Sequence, residues 1–326
     1  MKLLFLVNEL AHLKAPQSTT ELIHTACKRG HQVHVLDVTG LTLRTDRRLA
    51  ARCVRLEGVP TPQQIPELLR GPTESVLLEP KDAVLVRTNP GRDPRVALQR
   101  LALELLELAE EQGVRVLNRP SRLLRSMSKL NLASLPAQCL PRTLVSADPV
   151  ALREFVLAST GPVVLKPLVG TQGKGVWFLD PAAPRNLAQI LESLLSEGAV
   201  MAQDRIPGAE QGDVRVIVLN GEVLQVDGKI AAVRRVPGPG EERSNVAKGG
   251  TPTAAVLTDA QLQTATTLAR TLMDQGIHLA GLDLIGDAIV EANVFATGGL
   301  GDAGLFSGVD FLGPVMEGLE AYLDRP

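Results

Sequence analysis

Aromatic side chains are scarce in this chain: six Phe, one Tyr and one Trp among 326 residues. Eight flat faces are too few for the stacking platforms that hold single-stranded nucleic acid. Charge of one sign is also missing. The chain carries 34 Lys and Arg against 36 Asp and Glu, a formal net charge of −2, so no global field draws it to nucleic acid or to an anionic membrane, and any basic site must be local. Cysteine is limited to Cys27, Cys53 and Cys139, an odd and widely spaced set without a C-x-x-C pair. That spacing argues against a disulfide framework or a zinc knuckle and leaves reduced, buried thiols as the expected state. No apolar run approaches the roughly 18 residues of a membrane span. The opening run Met1 to Val7 is too short for the core of a signal peptide and meets Asn8-Glu9 at once. It reads as the first strand of a soluble, cytoplasmic protein.

What is present points to about two to three domains, with 44% hydrophobic residues to fill their cores. In the first third strands alternate with helices. Leu3 to Val7 is a buried strand, Ser18-Thr19-Thr20-Glu21 is a capping box that opens a helix ended by Gly30, and Val33 to Leu36 is the next strand. A further strand, Ala83 to Val86, leads to a helix with Leu98, Leu101, Leu105 and Leu108 on one face, then to the strand Val114 to Leu117. This alternation predicts a doubly wound parallel sheet, with ligands approaching the carboxyl ends of strands, here Asn8-Glu9 and Arg87-Thr88-Asn89-Pro90. Between Arg44 and Pro80 the pattern is poor, and a loop is expected. Neither an internal repeat nor a low-complexity tract appears.

Chemistry concentrates further along. Asp283 and the cluster Glu291-Ala292-Asn293 flank a short apolar hairpin, Leu284 to Val290, so its turn sets three oxygen-bearing side chains together. Adjacent carboxylates repel unless a cation lies between them, and two carboxylates plus an amide oxygen are hard ligands suited to Mg²⁺. The strand Val163 to Pro167 contains Lys166 and runs into Leu168-Val169-Gly170-Thr171-Gln172-Gly173-Lys174-Gly175, followed by a second apolar strand, Val176 to Leu179. A Walker loop needs Gly-Lys-Ser/Thr leading into a helix, whereas this loop re-enters a sheet; it is a glycine hairpin that can fold over phosphates or serve only as a turn. Gly299 to Gly304 imitates a dinucleotide fingerprint, but too little chain follows it for the required helix, strand and acid. It could instead present backbone N–H groups beside Asn293. Asp213 to Leu219 alternates as a half-buried strand and turns at Asn220-Gly221, and the returning strand runs from Glu222 toward Arg234-Arg235. The glycine-rich stretch 237–250, with Arg243 and Asn245 inside it, is either a lid or a plain connector. Thr258-Asp259-Ala260-Gln261 then caps a helix with Leu262, Ala265, Leu268 and Leu272 inward and Gly276 at its end.

Lys129, Lys166 with its glycine hairpin, Met201-Ala202-Gln203-Asp204-Arg205-Ile206-Pro207, Asp213-x-Arg215, Arg235, Arg243-Ser244-Asn245 and Asp283…Glu291-x-Asn293 occur in the order and near spacing of one superfamily. Over nearly its whole length the chain resembles the ATP-grasp ligases, and among them the bacterial glutathione synthetases. The resemblance implies an ATP-grasp fold of mixed α/β and α+β type: an N-terminal substrate domain over 1–121, a small lid subdomain over 122–201 and a metal-binding subdomain over 202–326. It implies that Lys129 and Lys166 bind ATP phosphates, that Gly170, Gln172, Gly173 and Gly175 cover them, and that Gln203, Asp204, Arg205 and Ile206 line the adenine pocket with Asp213 nearby. Asp283, Glu291 and Asn293 would hold two Mg²⁺ ions, with Mn²⁺ able to replace them. Arg215, Arg235, Arg243 and Asn245 would act on an acyl phosphate and its transition state. Asn8, Arg87, Asn89, Thr297, Gly298 and Gly299 would meet the carboxylate and amine substrates. The family also implies a homo-oligomer, a dimer or tetramer.

Two segments depart from the glutathione synthetase pattern. The stretch Arg87-Thr88-Asn89-Pro90-Gly91-Arg92-Asp93 lacks the lysine and aromatic of the usual Arg-Lys-Asp-Pro-Pro-Phe-Asp. After Asn293 the chain reads Val294-Phe295-Ala296-Thr297-Gly298-Gly299 in place of Val-Thr-Ser-Pro-Thr. Three readings therefore stay open: ligation of γ-glutamylcysteine to glycine, ligation of another carboxylate and amine by an amino-acid or peptide ligase of glutamate-ligase type, or nucleotide binding without turnover. An intact metal triad speaks against the last.

Overall fold

Leu3, Leu4, Phe5 and Leu6 form an unbroken apolar run, the pattern of a strand covered on both faces. All four are fully buried in β1 (Lys2–Val7). The computed structural model describes residues 1–169, 175–238 and 251–323. After β1 come α1 (Ser18–Lys28), β2 (Gln32–Asp37), β3 (Leu41–Leu43), β4 (Leu49–Arg55), α2 (Ile65–Leu68), β5 (Glu74–Leu77), β6 (Ala83–Val86), α3 (Val96–Glu111), β7 (Arg115–Leu117) and α4 (Pro120–Arg125). Their sheet runs β3-β4-β2-β1-β6-β7, with β5 beside β4. Strands β2, β1, β6 and β7 are parallel, as expected, whereas β3, β4 and β5 join as an antiparallel edge. The chain departs to opposite sides of β1 on its way to β2 and to β6. The carboxyl ends of β1 and β6 therefore open at a topological switch point, where ligands meet sheets of this kind.

Several local expectations are corrected. The stretch from Arg44 to Pro80 is not a loop, since it holds β4, α2 and β5. Strand β4 is buried at Leu49, Ala50, Ala51, Cys53 and Val54, on both faces, so no simple alternation marked it. Helix α1 is capped one residue earlier than Ser18: the Gln17 backbone N–H donates to Thr20 Oγ1 at 3.1 Å, because the Thr20 hydroxyl reaches back as readily as Glu21 could. The buried stripe of α3 is Gln99, Ala102, Leu103, Leu106 and Ala109; Leu98, Leu105 and Leu108 flank it and Leu101 is exposed. The small alanines set that face against the sheet, and periodicity alone could not choose between two leucine stripes.

A second sheet is built from β8 (Thr143–Ser146), β9 (Val163–Pro167), β10 (Trp177–Leu179) and β11 (Val200–Asp204), in the order β10-β9-β11-β8 and antiparallel throughout. Helices α5 (Pro149–Leu157) and α6 (Leu187–Leu195) cover one face, with Leu152, Val156, Leu187, Ile190, Leu191 and Leu194 on Val163, Leu165, Val200 and Ala202. Lys129 begins a 3-10 turn, Lys129–Ser134, rather than an α-helix.

The third sheet comprises β12 (Asp213–Leu219), β13 (Glu222–Val223), β16 (Ala232–Val236), β17 (Thr251–Ala254), β18 (Leu279–Ile285) and β19 (Ala288–Asn293), all antiparallel. Asn220 and Gly221 both take positive φ at the β12–β13 turn, as their sequence predicts. The returning strand is broken by a small hairpin of β14 (Gln225–Val226) and β15 (Lys229–Ile230), turned at Asp227-Gly228, where both residues again have positive φ. Helix α7 (Asp259–Asp274) covers one face through Ala265, Leu268, Ala269 and Leu272. Its capping box forms, with Thr258 Oγ1 accepting from Gln261 N–H at 3.2 Å and Gln261 Oε1 accepting from Thr258 N–H at 3.1 Å. Leu262 faces outward, contrary to expectation, because Gln261 takes the inward place and donates to the Gly286 carbonyl at 2.9 Å. Helices α8 (Leu300–Ser307) and α9 (Leu312–Leu323) return to the first sheet, where Leu300, Phe311, Val315 and Leu319 share a core with Leu3, Phe5, Leu22 and Ile23.

Candidate active site

Alternation on β12 sends Val214, Val216 and Val218 toward α7 and leaves Asp213 and Arg215 on the opposite face. Register does the rest. Arg215 lies opposite Asp283, Asp283 opposite Glu291, and Asp213 opposite Arg235, so four strands contribute to one row of alternating charge. The Arg215 guanidinium grips Asp283 with two hydrogen bonds of 2.7 and 2.8 Å, Arg235 reaches the same carboxylate at 2.7 Å, and Asn293 Nδ2 donates to it at 3.0 Å. Arg235 also clasps Asp213. Burial opposes the charge on Asp283, but the two arginines overcome it and hold the carboxyl below its ordinary range. Arg235 is partly buried, which lowers it, yet Asp283 and Asp213 keep it above the usual arginine value.

Glu291 is in a different state. Burial and the neighbouring Asp283 hold its carboxyl above the ordinary range, while Arg215, Lys129 and Lys166 pull the other way. Lys166, on β9 opposite Met201, is 9% exposed and pushed down to about 8 by burial and by Lys129, against the pull of Glu291. Lys129 is lowered by burial as well. Buried Lys166 and half-buried Lys129, beside the paired carboxylates Asp283 and Glu291, form a site whose charges fit a phosphate chain and a divalent cation.

These groups line a cleft of about 1450 Å³ between the three sheets. On one wall Gln203 donates to Thr143 Oγ1 at 2.8 Å, Asp204 is paired with Arg142 at 2.9 Å, Arg205 lies 5.4 Å from the centre of the Phe178 ring, and Ile206 follows. On the other the switch point supplies Asn8, Arg87 and Asn89. Asn8 is fixed by exchange with the Asn89 backbone, donating to its carbonyl at 3.0 Å and accepting from its N–H at 2.7 Å. Arg87 is buried and lowered to about 10 by that burial; it donates to the carbonyls of Thr297 at 2.8 Å and Phe295 at 3.4 Å. The two segments that depart from the family pattern thus meet through Arg87. Thr297, Gly298 and Gly299 line the same cleft, and Gly299 precedes α8 with φ +104, so the glycine string is a helix start. Gly281 allows this approach: a Cβ there would lie 2.2 Å from Thr297 Oγ1.

Of the described residues expected in the site, all but Gly175 line the cleft; Gly175 sits at φ +70 against Pro167. Gly170, Gln172, Gly173, Lys174, Arg243 and Asn245 lie outside the described residues, as does most of 237–250. Arg215, expected at the acyl phosphate, holds Asp283 here. Sequence reasoning missed Glu21, Asp93 and Arg95, which also line the cleft. Arg95 holds Asp93 down to about 2 and donates to the Asn8 carbonyl at 2.9 Å. The Asp93-x-Arg95 spacing just after Pro90 was the available signal.

Comparison with known proteins decides the family. The model of the prokaryotic glutathione synthetase ATP-grasp domain matches residues 128–304, and that of the prokaryotic glutathione synthetase N-terminal domain matches 1–125. The chain belongs to the prokaryotic glutathione synthetase family. This family member is 32% identical to the glutathione synthetase of Synechococcus elongatus over the full length of both chains. It is 34% identical to that of Ralstonia nicotianae over 90% of this chain and 87% of the relative. Among solved structures, D-cycloserine synthetase superposes with a TM-score of 0.63 at 18% identity, covering 99% of this chain and 100% of that one. D-alanyl-alanine synthetase A of Vibrio cholerae gives 0.60 at 13%, covering 99% of each. The fold is the ATP-grasp fold, and the family member is an ATP-dependent carbon–nitrogen ligase. Among its described residues no helix is long and apolar enough to cross a membrane.

Proposed function

We propose that this ligase joins the cysteine carboxylate of γ-glutamylcysteine to the amine of glycine, converting ATP to ADP and phosphate through an acyl phosphate. The observation that carries the proposal is the cleft in which the carboxyl ends of β1 and β6 face the row of Asp283, Glu291 and Asn293, in a chain whose two parts match both glutathione synthetase domains. Lys129 and Lys166 neutralise the nucleotide phosphates, and Gln203 to Ile206 border the base. Asp283, Glu291 and Asn293 would hold two Mg²⁺ ions, or Mn²⁺ in their place, and such ions supply charge stabilisation at the transferring phosphoryl group. Arg215 and Arg235 are the counter-charges of Asp283, and were Asp283 to ligate a cation their guanidiniums would supply positive charge to the phosphoryl and acyl oxygens. Arg87, Asn8 and Asn89 orient the carboxylate substrate and the Thr297 to Gly299 segment admits the amine. An acyl phosphate needs a cover that excludes water, the role the family resemblance gives to Gly170, Gln172, Gly173, Gly175, Arg243 and Asn245, all but Gly175 outside the described residues. On this reading 1–121 presents substrate, 122–201 covers the nucleotide and 202–326 carries the metal, in a cytoplasmic homo-oligomer.

A second reading has a specific observation in its favour. Because Arg87, at the head of the Asn89 segment, reaches the carbonyls of Phe295 and Thr297, the two segments that depart from the family pattern lie side by side, where a different carboxylate and amine would be selected. ADP release with Mg²⁺ and ATP separates the two. Release that needs both γ-glutamylcysteine and glycine supports the first; release only with another pair from an amino-acid and dipeptide panel supports the second.

A further inference from the structure

The outer edge of the first sheet holds another group of donors, none of which lines the cleft. His34 on β2, Cys53 on β4 and Glu74 on β5 bring an imidazole nitrogen, a thiol sulfur and a carboxylate oxygen within 4.8 Å of one another. Register explains the convergence. Cys53 lies directly opposite Glu74, and His34 lies opposite Arg55, two positions along β4 from Cys53, so all three side chains leave the same face. His34 and Cys53 are fully enclosed, while Glu74 is 46% exposed and opens the group to solvent.

A His34 to Glu74 hydrogen bond of 3.2 Å accounts for two members of the group. It does not account for the thiol, whose contact with the Glu74 carbonyl is a long 3.8 Å. Nor does it satisfy His34 Nδ1, which is buried with no partner among the described residues. The nearest cations do not fill the space: Lys2 is held by Asp82 at 2.7 Å and Arg55 by Glu57 at 2.9 Å.

We infer that His34, Cys53 and Glu74 form a binding site for a divalent transition-metal ion of the zinc class, with the remaining coordination position open to water on the Glu74 side. The donor set decides the class. One nitrogen, one sulfur and one oxygen suit a borderline ion in tetrahedral geometry, whereas Mg²⁺ prefers oxygen alone. Charge balances when the ion displaces the Cys53 proton to solvent, since thiolate and carboxylate then oppose its two positive charges. The site ties β2 to β4 and β5, and so fastens the antiparallel edge to the parallel sheet. It is independent of the ligase chemistry.

Titration of the full-length protein with Co²⁺, in excess Mg²⁺ and ATP so that the oxygen-rich cleft is filled, tests this directly. The expected result is a near-ultraviolet thiolate-to-cobalt absorption that saturates at one ion per chain, vanishes in Cys53→Ser and is displaced by Zn²⁺. Glu74→Gln, at a half-exposed position, weakens Co²⁺ binding at least about tenfold while ligase turnover is unchanged. Absence of the absorption in folded wild-type protein, or its persistence in Cys53→Ser, overturns the assignment. Should Cys53→Ser not fold, unchanged Co²⁺ affinity in Glu74→Gln overturns it equally.

Discussion

Replacing Lys166 by Met should make the ligand-free protein more stable and a worse nucleotide binder at the same time. Lys166 is buried beside Lys129, and its ammonium is pushed down from 10.5 to about 8. That gap corresponds to about 3 kcal/mol of cost for keeping the group charged in the folded state. The folded-state value lies below the unfolded one, so the cost is fully present below about pH 8 and disappears as pH rises toward 10.5. Methionine keeps the length of the stem without the charge. The Lys166→Met protein should therefore exceed wild type by up to about 3 kcal/mol at pH 7, with the advantage shrinking steadily between pH 8 and 10. Nucleotide affinity moves the other way, because a charge-assisted hydrogen bond to phosphate worth about 1.5–3 kcal/mol is lost, roughly a 10- to 100-fold weakening. Urea denaturation without ligand across that pH range, with ATP binding measured by calorimetry, reads both. A variant less stable than wild type at pH 7, or one with unchanged ATP affinity, would refute the reasoning.

Three further changes test the cleft and the packing behind it. Glu291→Gln removes a ligand charge without altering shape; turnover should fall about 10²- to 10³-fold with the melting temperature preserved, and near-normal steady-state rates would sink the metal assignment. Gly281→Ala places a methyl 2.2 Å from Thr297 Oγ1 and 3.3 Å from Arg215 Cδ, so the Thr297 segment must move, at a cost of about 1–3 kcal/mol; urea midpoints and substrate KM should both change. Asn118→Ala strips hydrogen bonds from the carbonyls of Leu279 and Val294 and from the N–H groups of His278 and Leu279, at 2.7 to 3.0 Å. Leaving those groups buried should lower stability by about 2–4 kcal/mol, and a denaturation midpoint within error of wild type would contradict that role.

Much of this site was legible because its chemistry is tied to strand periodicity. Asp283, Glu291 and Asn293 stand near the ends of a hairpin whose turn residues can be read, so their proximity is legible, but the bulge between Asp283 and Leu284 that sets Glu291 directly opposite Asp283 is not. Proximity is equally legible for Asn8 and Arg87 at adjacent strand ends. Features that depend on the meeting of distant strands were not legible. Nothing in the spacing of Arg215 and Arg235 indicates that both close on Asp283, because that pairing needs β12, β16 and β18 side by side. The face of α3 was misjudged because leucines line two stripes, and β4 escaped notice because it is buried on both sides. Burial of Lys166 was equally hidden, since a lysine at a strand end ordinarily snorkels to water.

The central claim is that a carboxylate is activated by phosphorylation before an amine attacks it. It is tested most directly by turnover with γ-glutamylcysteine carrying ¹⁸O in the cysteine carboxylate, together with glycine, Mg²⁺ and ATP, followed by mass analysis of both products. Attack of glycine on an acyl phosphate expels one carboxylate oxygen with the phosphoryl group, so the account predicts one ¹⁸O in each phosphate released, one retained in glutathione, and no phosphate release when glycine or the dipeptide is omitted. Glutathione formed alongside unlabelled phosphate would contradict it.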